Sequence, residues 1–542
     1  LCLYLLLHLF SLSFFPFVHS DEVWLASLSR SIYSGGFGAT EDFFVLTLRH
    51  PHGLKILYHL IQGPFILLSW SAQTARLPSL VAALVSVCFF WKILFTLTKD
   101  KGLSLLITSA FALDVQFFYI SHLGRQEALI LMAILLAVYS LIRGGRFSPA
   151  LAAAITGISI FIHPNAFIAA AALLPWVLWT SSKGRKIASA AIFVLILFLF
   201  AAAAIAVSLA LDPDFFTNYR SFGDSVGVTS GVYERFMRFR EFFHKMMLRH
   251  AGTYYLPPAA HHLLAIPLIV AASLFAKRGS EAKICVGSIA MTAVAIFIIG
   301  KNSPPSFVFF TPWAYIGIGL LVSLWKTEHW RTSKGVLLFL LLLLPLGNGV
   351  LLGSELYRWY PDAEGKEVAP SYGEYVARIE AALSKANLSE NSQHSQNREG
   401  RVLANLNTGF AFPPDRLRVW RDLAALPPVD GRPQLQNLAT QPETLDEEWL
   451  LESPLFQFLL EENIRWIIWP REEMEMIYSQ RPVWNALYGN PYRFYPELIG
   501  VIHRYGELID RFDAPFYAIR LVPFMDRYQG EVEVYQLSIP IH

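Results

Sequence analysis

LCLYLLLHLFSLSFFPFVHSDE (1–22) runs from an apolar segment, Leu1 to Phe17, into an acidic pair, Asp21-Glu22. Carboxylates at the end of a greasy segment are expensive unless they face water or partners, so the pair marks both the end of a membrane span and a candidate site. Val18-His19-Ser20 also fits a signal-cleavage pattern, with no basic leader in front of it. Read as span or as signal, the segment leaves Asp21 on the outer side. The chain does not begin with Met, so the first span is expected to be longer than the part seen here.

The same apolar pattern recurs along the chain. Runs occupy 78–97, 102–120, 126–142, 149–163, 165–180, 187–210, 257–276, 283–300, 307–325 and 335–353. A helix needs roughly 20 apolar residues to cross the hydrocarbon, which gives about eleven spans with the first. Hydrophobic residues make up 54% of the 542, too much for one soluble core. The expected fold class is mainly α: a polytopic membrane helical bundle over 1–354, followed by a C-terminal extracytoplasmic α/β domain over 355–542.

The net charge of +2 says nothing about polyanions, and no nucleic-acid partner is expected. Its distribution is more informative. Lys99, Lys101, Arg143, Arg146, Lys183, Arg185, Lys186, Lys277, Arg278, Lys283, Lys326, Arg331 and Lys334 fall in alternate short loops, which the positive-inside rule places in the cytoplasm. The opposite loops, outside, hold Asp21-Glu22, Arg125-Gln126-Glu127, His163-Pro164-Asn165, the long 211–256 loop, Lys301-Asn302 and everything after about 355. The cysteines Cys2, Cys88 and Cys285 lie inside apolar runs and read as small buried hydrophobes rather than a disulfide framework.

In the external loop 20–75, Leu25, Leu28 and Ile32, then Leu54, Ile56, Leu57, Leu60 and Ile61, recur at helical spacing before Gly35-Gly36 and Gly63-Pro64. They predict two short amphipathic helices, either interfacial anchors or the wall of a site. The 211–256 loop mixes Arg220, Arg235, Arg238, Arg240 and Lys245 with Phe215, Phe216, Phe236 and Phe242, which fits a functional loop or a solvated amphipathic helix equally. Past Trp359 a polar linker, Asn387 to Arg401, leads to strands around 402–404, 466–469, 517–522 and 532–535, with helices near 372–386 and 446–462. No phosphate loop, CxxC, nucleophile elbow or inverted repeat is present.

A carboxylate at the outer surface can take a proton from an acceptor hydroxyl, and a guanidinium or ammonium can neutralise a departing phosphate. Asp21 or Glu22 would be the base, with Arg125 and Lys301 on the phosphate. Taken singly these residues are weak signals, since an Arg near a helix end usually snorkels. Their placement on one face raises them.

The order Asp21-Glu22, His50-Pro51, Ala75-Arg76-Leu77-Pro78-Ser79, Arg125-x-Glu127 and His163-Pro164 resembles the GT-C class. More closely it is similar to the bacterial protein O-mannosyltransferase and aminoarabinose-transferase-like membrane glycosyltransferases. The resemblance covers about the first 325 residues, and the ordered set carries it rather than any single motif. It implies inverting transfer of a sugar from a polyprenyl-phosphate donor to an acceptor, whether lipid, glycan or protein, on the outer side of the plasma (inner) membrane. Asp21 then matches the catalytic base, with Glu22 its neighbour and Glu127 a catalytic or supporting acid. Arg125, Lys301, His50 and Arg76 match donor-phosphate positions, and His163 a support. His52 stands where a second Pro is common, and Phe307 or Phe309 where a Tyr is usual.

No histidine here shows HExxH or another tight ligand spacing, so no metal ligand is assigned and no cofactor is certain; some relatives hold a divalent metal near the first loop, which leaves a divalent metal open as a cofactor. Two other readings stand beside the enzyme. A transporter or lipid flippase would use the same acids as a substrate or proton path, and a non-catalytic scaffold would use the outer domain for binding.

Overall fold

The computed structural model describes residues 2–46, 49–225, 231–248, 254–275, 280–300, 303–360, 371–389, 400–427, 446–471, 494–514, 517 and 530–539. It is a helical bundle carrying a sheet domain at its C-terminal end. Among the described residues, Ala72–Thr98, Lys183–Leu211, Glu281–Ile299 and Pro304–Leu324 are long and apolar enough to cross a membrane. Ile56–Leu68, Ser148–Phe161, Ala166–Thr180 and Ala260–Leu274 are apolar but shorter. Length and composition thus certify fewer spans than the apolar runs suggest.

Three of those runs fold differently from plain, separate spans. The run 102–120 splits into Lys101–Ala112 and Val115–Ser121, bent by 62°. Asp114 causes the restart, because its Oδ1 accepts from Gln116 N at 2.9 Å and Phe117 N at 3.1 Å and so caps a new helix. The runs 307–325 and 335–353 lie in one helical trace, Thr311–Trp359. In a straight helix Tyr315 and Asn348 would stand about 50 Å apart, yet Asn348 Nδ2 donates to the Tyr315 hydroxyl at 2.6 Å. The trace therefore doubles back into two packed arms.

The loop 20–75 forms the helices Ser20–Gly35 and Ile56–Leu68. Leu25, Leu28 and Ile32 are buried, so this first helix is a wall of the molecule and not an interfacial anchor. The second helix runs on through Pro64, where the sequence predicts an end. Proline lacks the N–H that would bond Leu60 O, and the Tyr33 hydroxyl takes that carbonyl instead at 2.7 Å. Cys285 is buried, whereas Cys2 and Cys88 are exposed on the bundle surface, contrary to the expectation for all three. The 211–256 loop holds the helices Phe215–Ser225 and Val232–Leu248.

The sheet has strands β1 (Arg401–Ala404), β2 (Leu417–Val419), β3 (Ile464–Pro470), β4 (Gly506–Asp513) and β5 (Glu531–Leu537), in the order β2-β1-β3-β5-β4. β1 pairs parallel with β2 and β3, and β5 runs antiparallel to β3 and β4. The expected strand at 517–522 lies outside the described residues except for Tyr517. This domain is clamped to the loop 20–75. Trp70 Nε1 donates to Gly409 O at 2.9 Å and Phe412 O at 2.8 Å, while Asp422 Oδ2 accepts from Val45 N at 2.7 Å and Leu46 N at 2.9 Å. Any side chain at position 409 would collide with Val23, where a Cβ would stand 2.1 Å from Cγ1, so glycine lets the domain seat against the Ser20–Gly35 helix.

Candidate functional site

The Ser20–Gly35 helix begins with a reciprocal cap. His19 Nδ1 accepts from Asp21 N at 3.1 Å, and Glu22 Oε2 accepts from His19 N at 2.9 Å. Glu22 goes further and ties three segments together. Its Oε1 accepts from Gly124 N at 2.8 Å, and its two oxygens take Arg76 Nε at 2.8 Å and Arg76 Nη2 at 3.0 Å. A Cβ on Gly124 would lie 3.0 Å from Ala75 O, so the close approach favours glycine there. Because Glu22 grips Gly124, the preceding Asp21 is brought against the following Arg125.

Asp21 Oδ2 is ion-paired with Arg125 Nη1 and accepts from the Tyr254 hydroxyl at 2.5 Å. Arg125 Nη1 also donates to the Tyr254 hydroxyl. Arg125 is aimed from behind by Glu127, with Nη2–Oε1 at 3.1 Å and Nε–Oε2 at 3.3 Å, and by the Ser303 hydroxyl at 3.2 Å. Gln126 Nε2 adds a bond to Glu127 Oε1 at 3.1 Å. The Tyr254 ring stacks on His19 at 3.9 Å between centroids, and the Arg125 guanidinium lies 5.1 Å from the same ring. The Asp21 side chain is 26% exposed, against 0% for Glu22 and 1% for Glu127, so Asp21 alone of the three acids meets solvent.

Charge sets the state of this corner. Burial pushes the Asp21 carboxyl up, but Arg125, His19, the Tyr254 hydrogen bond and Lys55 together hold it well below the ordinary range. Lys55 is the reverse case: burial pushes it down to about 8 against the pull of Asp21. Its ammonium lies 4.8 Å from the Trp24 ring centroid. His52 is pushed down to about 3 by burial and then by Lys55, and His163 is lowered by burial, Lys55 and Arg125, so both rings are neutral. Glu41 is raised to about 8 by burial, which outweighs Arg49 and Lys55.

The structure thus brings Asp21, Arg125 and Glu127 together, with His163 close enough to feel their charges. Two expectations need correction. Arg76 is not available to a phosphate: its five N–H groups go to Glu22 and to Leu12 O, Phe15 O and Pro16 O. Glu22 is sealed against it with its side chain fully buried, so it holds the loop instead of meeting solvent. Glu127 likewise sits behind Arg125 as its support. His50 is half-buried and forms no hydrogen bond with the described groups of this corner. Lys301 lies outside the described residues; its neighbour Ser303 reaches Arg125.

Sequence reasoning missed Tyr254 and Lys55. A charged residue inside the apolar run 54–61 is a usable signal for Lys55. Tyr254 has none, being one aromatic among many.

No protein-family model matches the chain, and no curated protein matches its sequence. Among solved structures, ArnT from Cupriavidus metallidurans bound to undecaprenyl phosphate aligns over 99% of this chain and 97% of its own, with 12% identity and a TM-score of 0.55. The apo state of that protein aligns over 98% and 96%, with 12% identity and a TM-score of 0.51. The arabinosyltransferase EmbB from Mycobacterium smegmatis is 17% identical over 65% of this chain and 40% of its own, with a TM-score of 0.36, too low to argue from. At these identities the likeness is one of fold: the chain has the ArnT-like GT-C architecture, bundle and sheet domain together.

Proposed function

We propose that this chain is an inverting glycosyltransferase that uses a polyprenyl-phosphate sugar and acts at the outer face of the plasma (inner) membrane. The observation that carries the reading is a solvent-reachable carboxylate, Asp21, held against a buried guanidinium, Arg125, in a GT-C fold. Asp21 takes the proton from an acceptor hydroxyl whose oxygen attacks the anomeric carbon. The bond from that carbon to the phosphate oxygen breaks, and the polyprenyl phosphate leaves with the electron pair. Arg125 and Lys55 stabilise the charge that develops there.

The resting ion pair makes Asp21 a weak base, which suits an idle site. When a donor phosphate engages Arg125, the guanidinium charge is shared and the carboxylate becomes more basic only in the loaded complex. Glu127 and Ser303 keep Arg125 aimed, while Glu22 and Arg76 hold the loop in place. The sheet domain, seated against the Asp21 helix, stands beside the acceptor's approach. The test is to incubate purified full-length protein with a panel of polyprenyl-phosphate sugars and follow loss of donor. Donor-dependent release of polyprenyl phosphate supports the reading; no turnover of any donor, with intact binding of a partner by the sheet domain, supports a scaffold instead.

A further inference from the structure

Away from the Asp21 corner, one carboxylate is served by two imidazoles. Asp114 Oδ2 lies 2.5 Å from His262 Nε2 and 3.6 Å from His261 Nε2, and the three ligand atoms fall within 4.8 Å of one another. Consecutive residues on a helix point about 100° apart, so aiming both rings at one oxygen is a built arrangement. A single imidazolium suffices to neutralise one buried carboxylate. The second ring is surplus to an ion pair, and its Nε2 is buried with no hydrogen-bond partner among the described residues.

The carboxylate is also held as a ligand would be. Its Oδ1 is fixed by Gln116 N and Phe117 N, and its Oδ2 by the Tyr315 hydroxyl at 2.8 Å, itself held by Asn348 at 2.6 Å. Such outer partners orient metal-ligating carboxylates. A set of two nitrogens and one oxygen suits zinc, with a fourth position left for water.

We propose that Asp114, His261 and His262 form a divalent-metal site, with zinc the preferred ion. Opening the Asp114–His262 contact by about 1 Å reaches the ligand separations of a tetrahedral zinc centre. The site fastens the segment that delivers Tyr254 to Asp21. That segment is already tied by Gln116 Nε2 to Pro257 O at 2.9 Å and Pro258 O at 3.2 Å, and by the Tyr255 hydroxyl to Glu355. Metal at its end completes the anchorage where it enters the bundle.

The test uses the full-length chain in detergent, stripped with chelator and titrated with Zn2+ alone, with metal counted by mass spectrometry and stability followed by thermal melting. The expected result is one zinc retained per chain and a Tm several degrees above the stripped protein. His261→Ala, at a ring that is 31% exposed and not needed for the Asp114–His262 pair, is expected to melt like the stripped wild type and to bind zinc at least ~10-fold more weakly. Wild type that retains no zinc and melts unchanged overturns the site, as does His261→Ala holding zinc like wild type. Neither readout requires turnover, so failure here leaves the glycosyl-transfer reading standing.

Discussion

Asp21 and Glu22 are consecutive acids, each paired with an arginine, yet they inhabit opposite worlds. Glu22 and Arg76 are fully buried and every donor between them is used, so the pair closes on itself. Asp21 reaches solvent and shares Arg125 with Glu127, Ser303 and Tyr254. One residue along the helix, about 100° of rotation, separates a closed knot from a solvent-facing corner. The same acid–arginine pairing thus takes two different settings from burial and from how completely its hydrogen bonds are satisfied.

The sharpest way to break that contrast is Asp21→Asn. Turnover is expected to fall by roughly 10²–10⁴ with a far smaller loss of melting temperature than at Glu22, measured by donor consumption beside thermal unfolding. Glu22→Ala or Arg76→Ala is expected to do the opposite, removing about 3–5 kcal/mol of stability by stranding a buried charge. Equal melting of Glu22→Ala and wild type in denaturant titration would erase the distinction between knot and corner.

Tyr254→Phe probes the corner more gently. Removing a hydrogen bond to a charged acceptor is worth about 1.5–3 kcal/mol, and turnover is expected to drop about tenfold or more. That bond lowers the Asp21 pKa, so its loss shifts the acid limb of the pH–rate profile to higher pH; a limb that stays put separates Tyr254 from the base.

Lys55 offers a milder test. With its pKa pushed down to about 8, it is charged below that value, and affinity for polyprenyl phosphate should weaken as pH rises through 8. Lys55→Arg should flatten this dependence in a binding titration. An effect on stability alone is expected at Glu41, whose carboxyl is raised to about 8. A raised acid contributes stability that is full below its unfolded value and lost as pH rises through the folded one. Glu41→Gln should therefore match wild type near pH 5 and melt higher above pH 8.

Much of this architecture is written in local pattern. Apolar runs mark the bundle, and the His19 to Glu22 cap fixes where the Ser20–Gly35 helix starts. β3 reads clearly because it is central and buried along its length, whereas β4, Gly506–Asp513, is an exposed edge strand whose charges mask its period. The three residues of β2 are too short to show one. The sequence also places Asp21 and Arg125 on one side of the membrane, but not that Glu22 clasps the backbone beside Arg125 and draws the two together. Arg76 matches a donor-phosphate position by resemblance, and the sequence does not reveal how many carbonyls close over it. The Asp114 and His261-His262 cluster joins positions far apart in the chain, which no ligand spacing could disclose.

The central claim is that Asp21 moves a proton while Arg125 holds phosphate. Measuring sugar transfer and polyprenyl-phosphate binding side by side in Asp21→Asn and Arg125→Gln tests it most directly. The account predicts that Asp21→Asn loses transfer yet binds the phosphate at least as tightly as wild type, its competing anion gone, and that Arg125→Gln loses binding. Transfer by Asp21→Asn at the wild-type rate would contradict it.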